Sequence, residues 1–415
     1  MRGVYVLLLI SLLGYTGRVS GQESVTITQC YEWARANYPQ IHQMGLIDQT
    51  ERYSLSNVGK AWLPQLSVSG KASYQSDVTK LPLDGDKISS LLPGFEIPSL
   101  SKDQYQVVAQ VDQTIWDGGS ARSARALTRA EATANREQLE SELYALNDRV
   151  NQLYFGCLLQ DELIRQNALL QKELQVNIER IEAMMENGVA NQSDLESMEV
   201  ELLNARQNEI ELKASRTVYR QMLATFINKP LTDQVVLKTP ESPERSLFTQ
   251  INRPELRALD AKSEWIETQN KQVTAGLMPR IGAFVQGGYG RPGLNMLEDS
   301  FEPYYVAGVR LSWNLGKLYT LKNDRRKIEV SRRQIDVQRE TFLFNTRLQL
   351  LRQNTEIKKM TDLMRADDDI IRLRTSIKQA AEVKLENGVI SVTDLIREIN
   401  AEDMARQTAA AHRVQ

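Results

Sequence analysis

Histidine and cysteine are scarce: the 415-residue chain holds two of each. Cys30 and Cys157 stand singly on separate helical patterns, too few for a disulfide framework or a thiolate cluster, and read as small buried apolar residues. His42 and His412 have no metal ligand or nucleophile near them in sequence, so no catalytic, metal or cofactor site is indicated, and the chain does not read as an enzyme. A basic footprint is missing too. The formal charge is −2, and losing Arg2 and Arg18 with a leader would make it more negative, which excludes nucleic acid as a partner. Long apolar runs are also absent: with 25% charged residues and a mean hydropathy of −0.41, the chain is not a helical membrane bundle. The single apolar run, Val4 to Leu13, follows Arg2 and precedes the small residues Val19-Ser20-Gly21. That pattern is a secretory signal peptide over 1–21, too short for a membrane anchor, and no cysteine at the cleavage site offers a lipid attachment.

What is present is a repeat. Glu186-Asn187-Gly188-Val189 precedes Asp194-Leu195, and Glu386-Asn387-Gly388-Val389 precedes Asp394-Leu395, 200 positions later. Each copy interrupts a long helical pattern. Asn-Gly supplies the left-handed backbone that ends one helix, and Asp194 or Asp394 is placed to cap the helix that returns. Each copy is therefore the tip of a helical hairpin. Asn37-x-Pro39 and Pro64 are matched, at the same spacing, by Asn252-x-Pro254 and Pro279, and Trp116-Asp117-Gly118-Gly119 by Trp313-Asn314-Leu315-Gly316. The chain is a tandem duplication of helix, strand, loop, strand, long helix, tip and return helix. The first repeat covers 22–227, with strands at 65–76 and 104–116 and its tip at 187–193. A proline-rich link occupies 228–250. The second repeat covers 251–415, with strands at 280–290 and 304–314 and its tip at 387–393.

The helices carry heptad steps. Thr26-x-x-Gln29 is a capping box opening the first helix, which Pro39 breaks. From Ser120 to Glu186 there is no proline, and an unbroken helix would be roughly 100 Å long. Leu143, Leu146, Val150, Leu153 and Cys157 make a coiled-coil seam, and Leu195, Met198, Leu202 and Ala205 continue the step on the return limb. Farther on, Ile328, Ile335 and Phe342 form one stripe, and Val330, Val337, Phe344 and Leu351 another on the opposite side. A helix with two apolar sides has a neighbour on each, as in a wall of helices.

The four strands alternate strictly. Leu66, Val68, Gly70, Ala72 and Tyr74 share one face; Tyr105, Val107, Ala109, Val111 and Ile115 repeat the pattern, as do Ile281, Ala283, Val285, Gly287 and Tyr289, and then Tyr305, Ala307, Val309, Leu311 and Trp313. Their length, polar opposite faces and terminal aromatics fit transmembrane strands better than a small soluble sheet. Open edges cannot face lipid and four strands cannot close a useful barrel, so several copies must share one. The loops Leu81 to Lys102 and Gly290 to Pro303 then lie together on the outside.

In this order the motifs resemble the TolC family of outer membrane efflux proteins, over essentially the whole mature chain. The resemblance implies a mostly α protein with transmembrane β: a homotrimer whose long hairpins form a periplasmic α-barrel, with four strands per protomer in a shared 12-stranded outer-membrane β-barrel. It implies an exit duct for a tripartite efflux pump or type I secretion system, working with a periplasmic adaptor (membrane fusion) protein and an inner-membrane pump of RND, ABC or MFS type, and embedded in outer-membrane lipid. The exposed tip turns make Asn187, Gly188, Val189, Asn387, Gly388 and Val389 the expected adaptor-docking residues, and Asp194, Asp394 and Arg397 are the gate candidates, of which Asp394 matches an inward acid of the family. Two departures follow. Arg397 stands one turn after Asp394 where a second acid is expected, and the return helix of the second half reaches only the equivalent of residue 215.

Other readings are weaker. Asp367-Asp368-Asp369 splays around a helix as a solvated face rather than a cation site. Gly287, Gly288 and Gly290 open no helix and make no phosphate cradle. The alternative of another class is a periplasmic coiled-coil adaptor or scaffold without a pore, which would need a hairpin but no paired ten-residue strands.

Overall fold

A computed structural model describes residues 24–79, 100–241, 251–295 and 298–415. The signal-peptide segment, nearly all of Leu81 to Lys102 and residues 242–250 lie outside the described residues. The chain divides into two compact units, one of Met1–His42, Ser141–Ile251 and Phe342–Gln415, the other of Gln43–Glu140 and Asn252–Thr341.

The first unit is helical. Helix α1 (Ile27–Asn37) opens on Thr26, whose hydroxyl accepts from the Gln29 amide at 3.4 Å while the Gln29 side chain accepts from the Thr26 amide at 2.9 Å. Pro39 stops it in a 3₁₀ turn (Pro39–Ile41), after which α2 (His42–Lys60) starts. The long helical stretch after Ser120 is not continuous. It splits into α3 (Ser120–Tyr144) and α4 (Leu146–Glu186) at Ala145, a single turn residue whose φ of −64° and ψ of −16° stay right-handed, so the break does not reverse the chain. It falls just past a boundary between the units: α2 from Gln43 onward and α3 up to Glu140 belong to the second unit. Helix α5 (Gln192–Ile227) returns along α4.

The seam residues Leu143, Leu146, Val150, Leu153 and Cys157 are all buried. Val150, Leu153 and Cys157 meet Leu223 and Ile227 of α5, Cys30 and Ala34 of α1, and the short parallel pair β1 (Ser24–Val25) and β4 (Val236–Leu237). Burial pushes the Cys30 thiol up to about 11 and the Cys157 thiol to about 12, which leaves both inert near neutral pH. Arg220 is 6% exposed and fastens the following segment by donating to the Thr232 carbonyl at 2.8 Å, with Asp161 as its counter-ion at 3.2 Å. The second hairpin consists of α7 (Lys317–Glu386), of which the later part belongs here, and α8 (Val392–Val414).

The second unit is built on a sheet. Strands β2 (Gln65–Tyr74), β3 (Asp103–Trp116), β5 (Arg280–Arg291) and β6 (Glu302–Ser312) lie in the order β2-β3-β5-β6, every neighbour antiparallel. The long alternating strands pair in sequence because each neighbour repeats the same period of two. Asp117 terminates β3 by accepting from the amides of Gly119 at 2.9 Å and Ala121 at 2.6 Å, which starts α3. Gly118 sits at φ +67°, and a Cβ there would come within 2.6 Å of Met278, so both backbone and packing require glycine. Helix α6 (Pro254–Ala275) packs Ile266 against Ile328 and Ile335 of α7, and the pairs Arg339–Asp260 (2.5 Å) and Arg332–Glu267 (2.8 Å) flank that seam. On α3, Arg136 pairs with Asp48 and Glu51 of α2.

Candidate functional site

The two tips have one geometry. In the first, the Gly188 amide donates to the Met185 carbonyl and the Val189 amide to the Met184 carbonyl, each at 2.9 Å; in the second, Gly388 and Val389 donate to Leu385 and Lys384 at the same distance. With φ of +75° at Gly188 and +69° at Gly388, these are Schellman closures. Asn187 and Asn387 each donate a side-chain bond back to the carbonyl four residues earlier, Ala183 and Val383, at 2.7 Å. Val189 and Val389 are exposed, and nothing lies within 4 Å of the position a Cβ would take on either glycine.

Asp194 and Asp394 are not the N-caps. The N-caps are Asn191 and Ser391, and each Asp is the third helical residue of a capping box. Asn191 and Ser391 have the right side chains and extended backbone for the cap, which moves the carboxylates inside the first turn, where they accept from the cap amides at 3.1 and 3.2 Å. The tips differ in charge. The Ser391 hydroxyl donates to Asp394 at 2.8 Å and Arg397 stands 3.5 Å away, so these hydrogen bonds and the arginine hold the Asp394 carboxyl below its ordinary value. Asp194 has Ser197, not an arginine, at the equivalent place.

Behind the tips, Leu174, Ile178 and Ile181 of α4, Met198, Leu202 and Ala205 of α5, Ala381 and Leu385 of α7, and Leu395 and Ile399 of α8 form one core. A polar cluster accompanies it. Lys378 bridges Glu173 at 2.5 Å and Glu402 at 2.6 Å; Glu402, 3% exposed, also receives Thr375 at 2.6 Å and Arg406 at 2.5 Å. Sequence reasoning missed this cluster, because its members lie on three helices and each alone looks like a surface charge. Asp367 is likewise corrected: it is 7% exposed and meets His412 Nδ1 at 2.8 Å, while Asp368 and Asp369 stay on the solvated face. The end of α8 lies against that turn of α7 and shields one acid of the three. Gly287, Gly288 and Gly290 all lie within β5 and form no cradle.

The sheet is uncovered on its apolar face. The register aligns Leu66, Val111, Val285 and Ala307 in one row, and Val68, Ala109, Gly287 and Tyr305 in the next. Val68 is 70% and Val309 70% exposed, values that water would penalise over so large a contiguous patch. Aromatics close both ends: Tyr74, Tyr105, Tyr289 and Tyr305 at the loop end, with Phe301 stacked 5.7 Å from Tyr289, and Trp116 and Trp313 at the other. From Tyr105 to Trp116 is about 36 Å along a strand and about 27 Å along a bilayer normal at a tilt of ~40°, close to the height of a barrel's apolar band. The opposite face carries Ser67, Ser69, Lys71, Gln106, Gln110, Asp112, Gln286 and Arg310. Among the described residues, no strand pairs with the outer edges of β2 and β6. No described helix is long and apolar enough to cross a membrane.

An apolar sheet with aromatic rims, open edges and a polar back, joined in one chain to paired helical hairpins, defines an outer-membrane channel with a periplasmic helical part. Residues 30–229 match the model of the outer membrane efflux protein family. No curated protein sequence matches. Among solved structures the chain is similar to the outer membrane protein VceC of Vibrio cholerae, at 13% identity and a TM-score of 0.64, over 94% of this chain and 92% of that one. It is similar also to the MtrE outer membrane channel of Neisseria gonorrhoeae in its open state (15%, TM-score 0.60, 94% and 85%). A third is the Campylobacter jejuni CmeC outer membrane channel (12%, TM-score 0.59, 94% and 82%). Over residues 30–229 the chain is thus similar to the outer membrane efflux protein family, and along 94% of its length it has the fold of these outer-membrane channels.

Proposed function

We propose that three copies of this chain close a 12-stranded barrel and a helical duct, which serves as the passive exit of a tripartite efflux pump. The observation that carries the assembly is the pair of open edges, β2 and β6, beside an uncovered apolar face. In lipid each unpaired backbone group costs several kcal/mol, so the edges must pair with further strands, and copies of the same chain supply them. The helices argue in the same direction. The Ile328 and Ile335 stripe of α7 is covered by α6, whereas Val330, Val337, Phe344 and Leu351 are all more than half exposed. The second stripe is then the contact between copies. The hairpin tips, with their exposed valines and turn backbones, receive a periplasmic adaptor and close the duct, and an inner-membrane pump of RND, ABC or MFS type feeds it. A pore-less adaptor or scaffold is not favoured, since it has no use for this sheet.

Native mass spectrometry of protein extracted from outer membranes in detergent tests the assembly. A trimer is expected. Release of a monomer by carbonate or salt washing would overturn the membrane reading.

A further inference from the structure

On the polar face of the sheet, two glycines sit opposite two aromatic residues. Gly288 of β5 is in register with Tyr304 of β6, and Phe284 of β5 with Gly308 of β6. A Cβ on Gly288 would lie 2.3 Å from Tyr304 Cζ and 2.6 Å from its hydroxyl oxygen, and one on Gly308 would lie 3.1 Å from Phe284 Cε1. The tyrosine ring therefore occupies the volume that a side chain at 288 would fill. From β6 it crosses β5 and bonds through its hydroxyl to Gln106 of β3. A second side chain makes the same crossing. Arg310 of β6 lies 4.8 Å over the Phe284 ring and reaches to 3.8 Å from Asp112 of β3, which Gln110 holds by bonds of 2.9 and 2.7 Å. Strand side chains ordinarily stand perpendicular to their sheet. Here Tyr304, Phe284 and Arg310 lie along it.

We propose that Gly288 and Gly308 set the width of the passage, because their missing side chains let Tyr304 and Phe284 lie flat on the lumen wall. The inference rests on the channel reading, in which the polar face points inward. The element that must move when a side chain is added at 288 is the far end of a tyrosine, whose χ1 rotation is easy, rather than backbone. A substitution there lifts the ring off the wall into the lumen, once per copy around the barrel. The wall beneath stays intact, since a β-branched residue suits a strand better than glycine does. Gly288 is the stronger of the two positions, because its contact is the closer.

The test uses the full chain in cells, with Ser67→Cys placed one row below Tyr304 on the same face. Maleimide reagents of graded size are added from outside. Cys30 and Cys157 are buried and remain silent. With Ser67→Cys alone, small and large reagents both react. Adding Gly288→Val should slow the largest reagent several-fold and leave the smallest unchanged, and further adding Tyr304→Ala should restore the large one. Tyr304→Ala without the glycine change should leave the size limit where it was, since a flat ring obstructs nothing. Equal labelling of the Gly288→Val protein, a loss that persists in the Gly288→Val/Tyr304→Ala double variant, or a wider limit with Tyr304→Ala alone would each overturn the inference. If Gly288→Val does not reach the membrane, the Tyr304→Ala arm decides. A Ser67→Cys protein that no reagent labels would instead overturn the inward polar face, and with it the channel reading.

Discussion

The Lys378 ammonium on α7 lies 2.5 Å from the Glu173 carboxylate on α4, so an ion pair that is largely withdrawn from water joins the second hairpin to the first. Burial works against the lysine's charge, and Glu173 and Glu402 together outweigh it, holding its pKa above the ordinary value. Replacing Lys378 with Met strips Glu173 of this partner and leaves Glu402 with Arg406 as its cation. Removal of one partner of a buried pair costs about 3 kcal/mol or more. The midpoint of denaturant unfolding should fall accordingly, and hydrogen exchange along α8 should rise. An unchanged midpoint would show that the pair contributes nothing.

The same cluster gives a pH dependence with two signs. Burial opposes ionisation of Glu402, but Lys378, Thr375 and Arg406 outweigh it and hold the carboxyl below its ordinary 4.5. Its contribution is complete above pH 4.5 and is lost as pH falls through the lower folded value. Asp403, the next residue on α8, which accepts from the Gln407 side chain at 2.6 Å, behaves oppositely: burial raises its pKa above 3.8, so its contribution is present in acid and fades as pH rises through the folded value. Asp403→Asn should therefore raise the unfolding midpoint at neutral pH and flatten the profile. A midpoint that falls at pH 7 would show that the ionised form is needed.

The uncovered stripe of α7 makes a separate prediction about assembly. Val337 is 60% and Phe344 61% exposed in a single copy. Burying such a side chain stabilises by about 1.5–3 kcal/mol each, and a trimer repeats the contact three times. Phe344→Glu and Val337→Glu should shift the extracted protein from trimer towards monomer in native mass spectrometry. Helicity should be unchanged, because the opposite stripe still packs on α6. A trimer that survives both changes would move the contact elsewhere.

Much of this fold is legible because its periods are pure. Leu66 to Tyr74 alternates with a period of two, Leu143 to Cys157 steps by three and four, and neither pattern fits the other element. The two stripes of α7 call for a neighbour on each side, and only the structure shows that α6 covers the Ile328 and Ile335 side. What sequence could not give depends on register or on distant helices. Gly288 meets Tyr304 only once β5 and β6 are aligned, and Lys378 meets Glu173 only once the hairpins pack. The capping residues were misplaced by one role, since Asn191 and Ser391 compete with Asp194 and Asp394 for the cap and win by their extended backbone.

The tips carry the last prediction. If they close the duct, the charges around each tip set its ion preference, and the two tips are unequal. Asp394 is engaged by Ser391 and faced by Arg397, whereas Asp194 has a serine in the arginine's place. In a trimer each charge recurs three times around the axis, and a ring of carboxylates favours cations unless a neighbouring cation offsets it. Asp194→Asn should then lower cation preference in planar bilayers more than Asp394→Asn does, and Arg397→Ala should raise it by uncovering Asp394. Equal, unchanged preference in all three channels would leave both acids as helix-capping groups. Adaptor docking is tested at the glycines. With open space around Gly188 and Gly388, a larger residue meets no clash and only the positive φ opposes it, at about 1 kcal/mol. Gly188→Arg and Gly388→Arg should therefore fold and assemble while weakening adaptor binding measured by surface plasmon resonance, and full affinity in such trimers would place docking on the hairpin flanks instead.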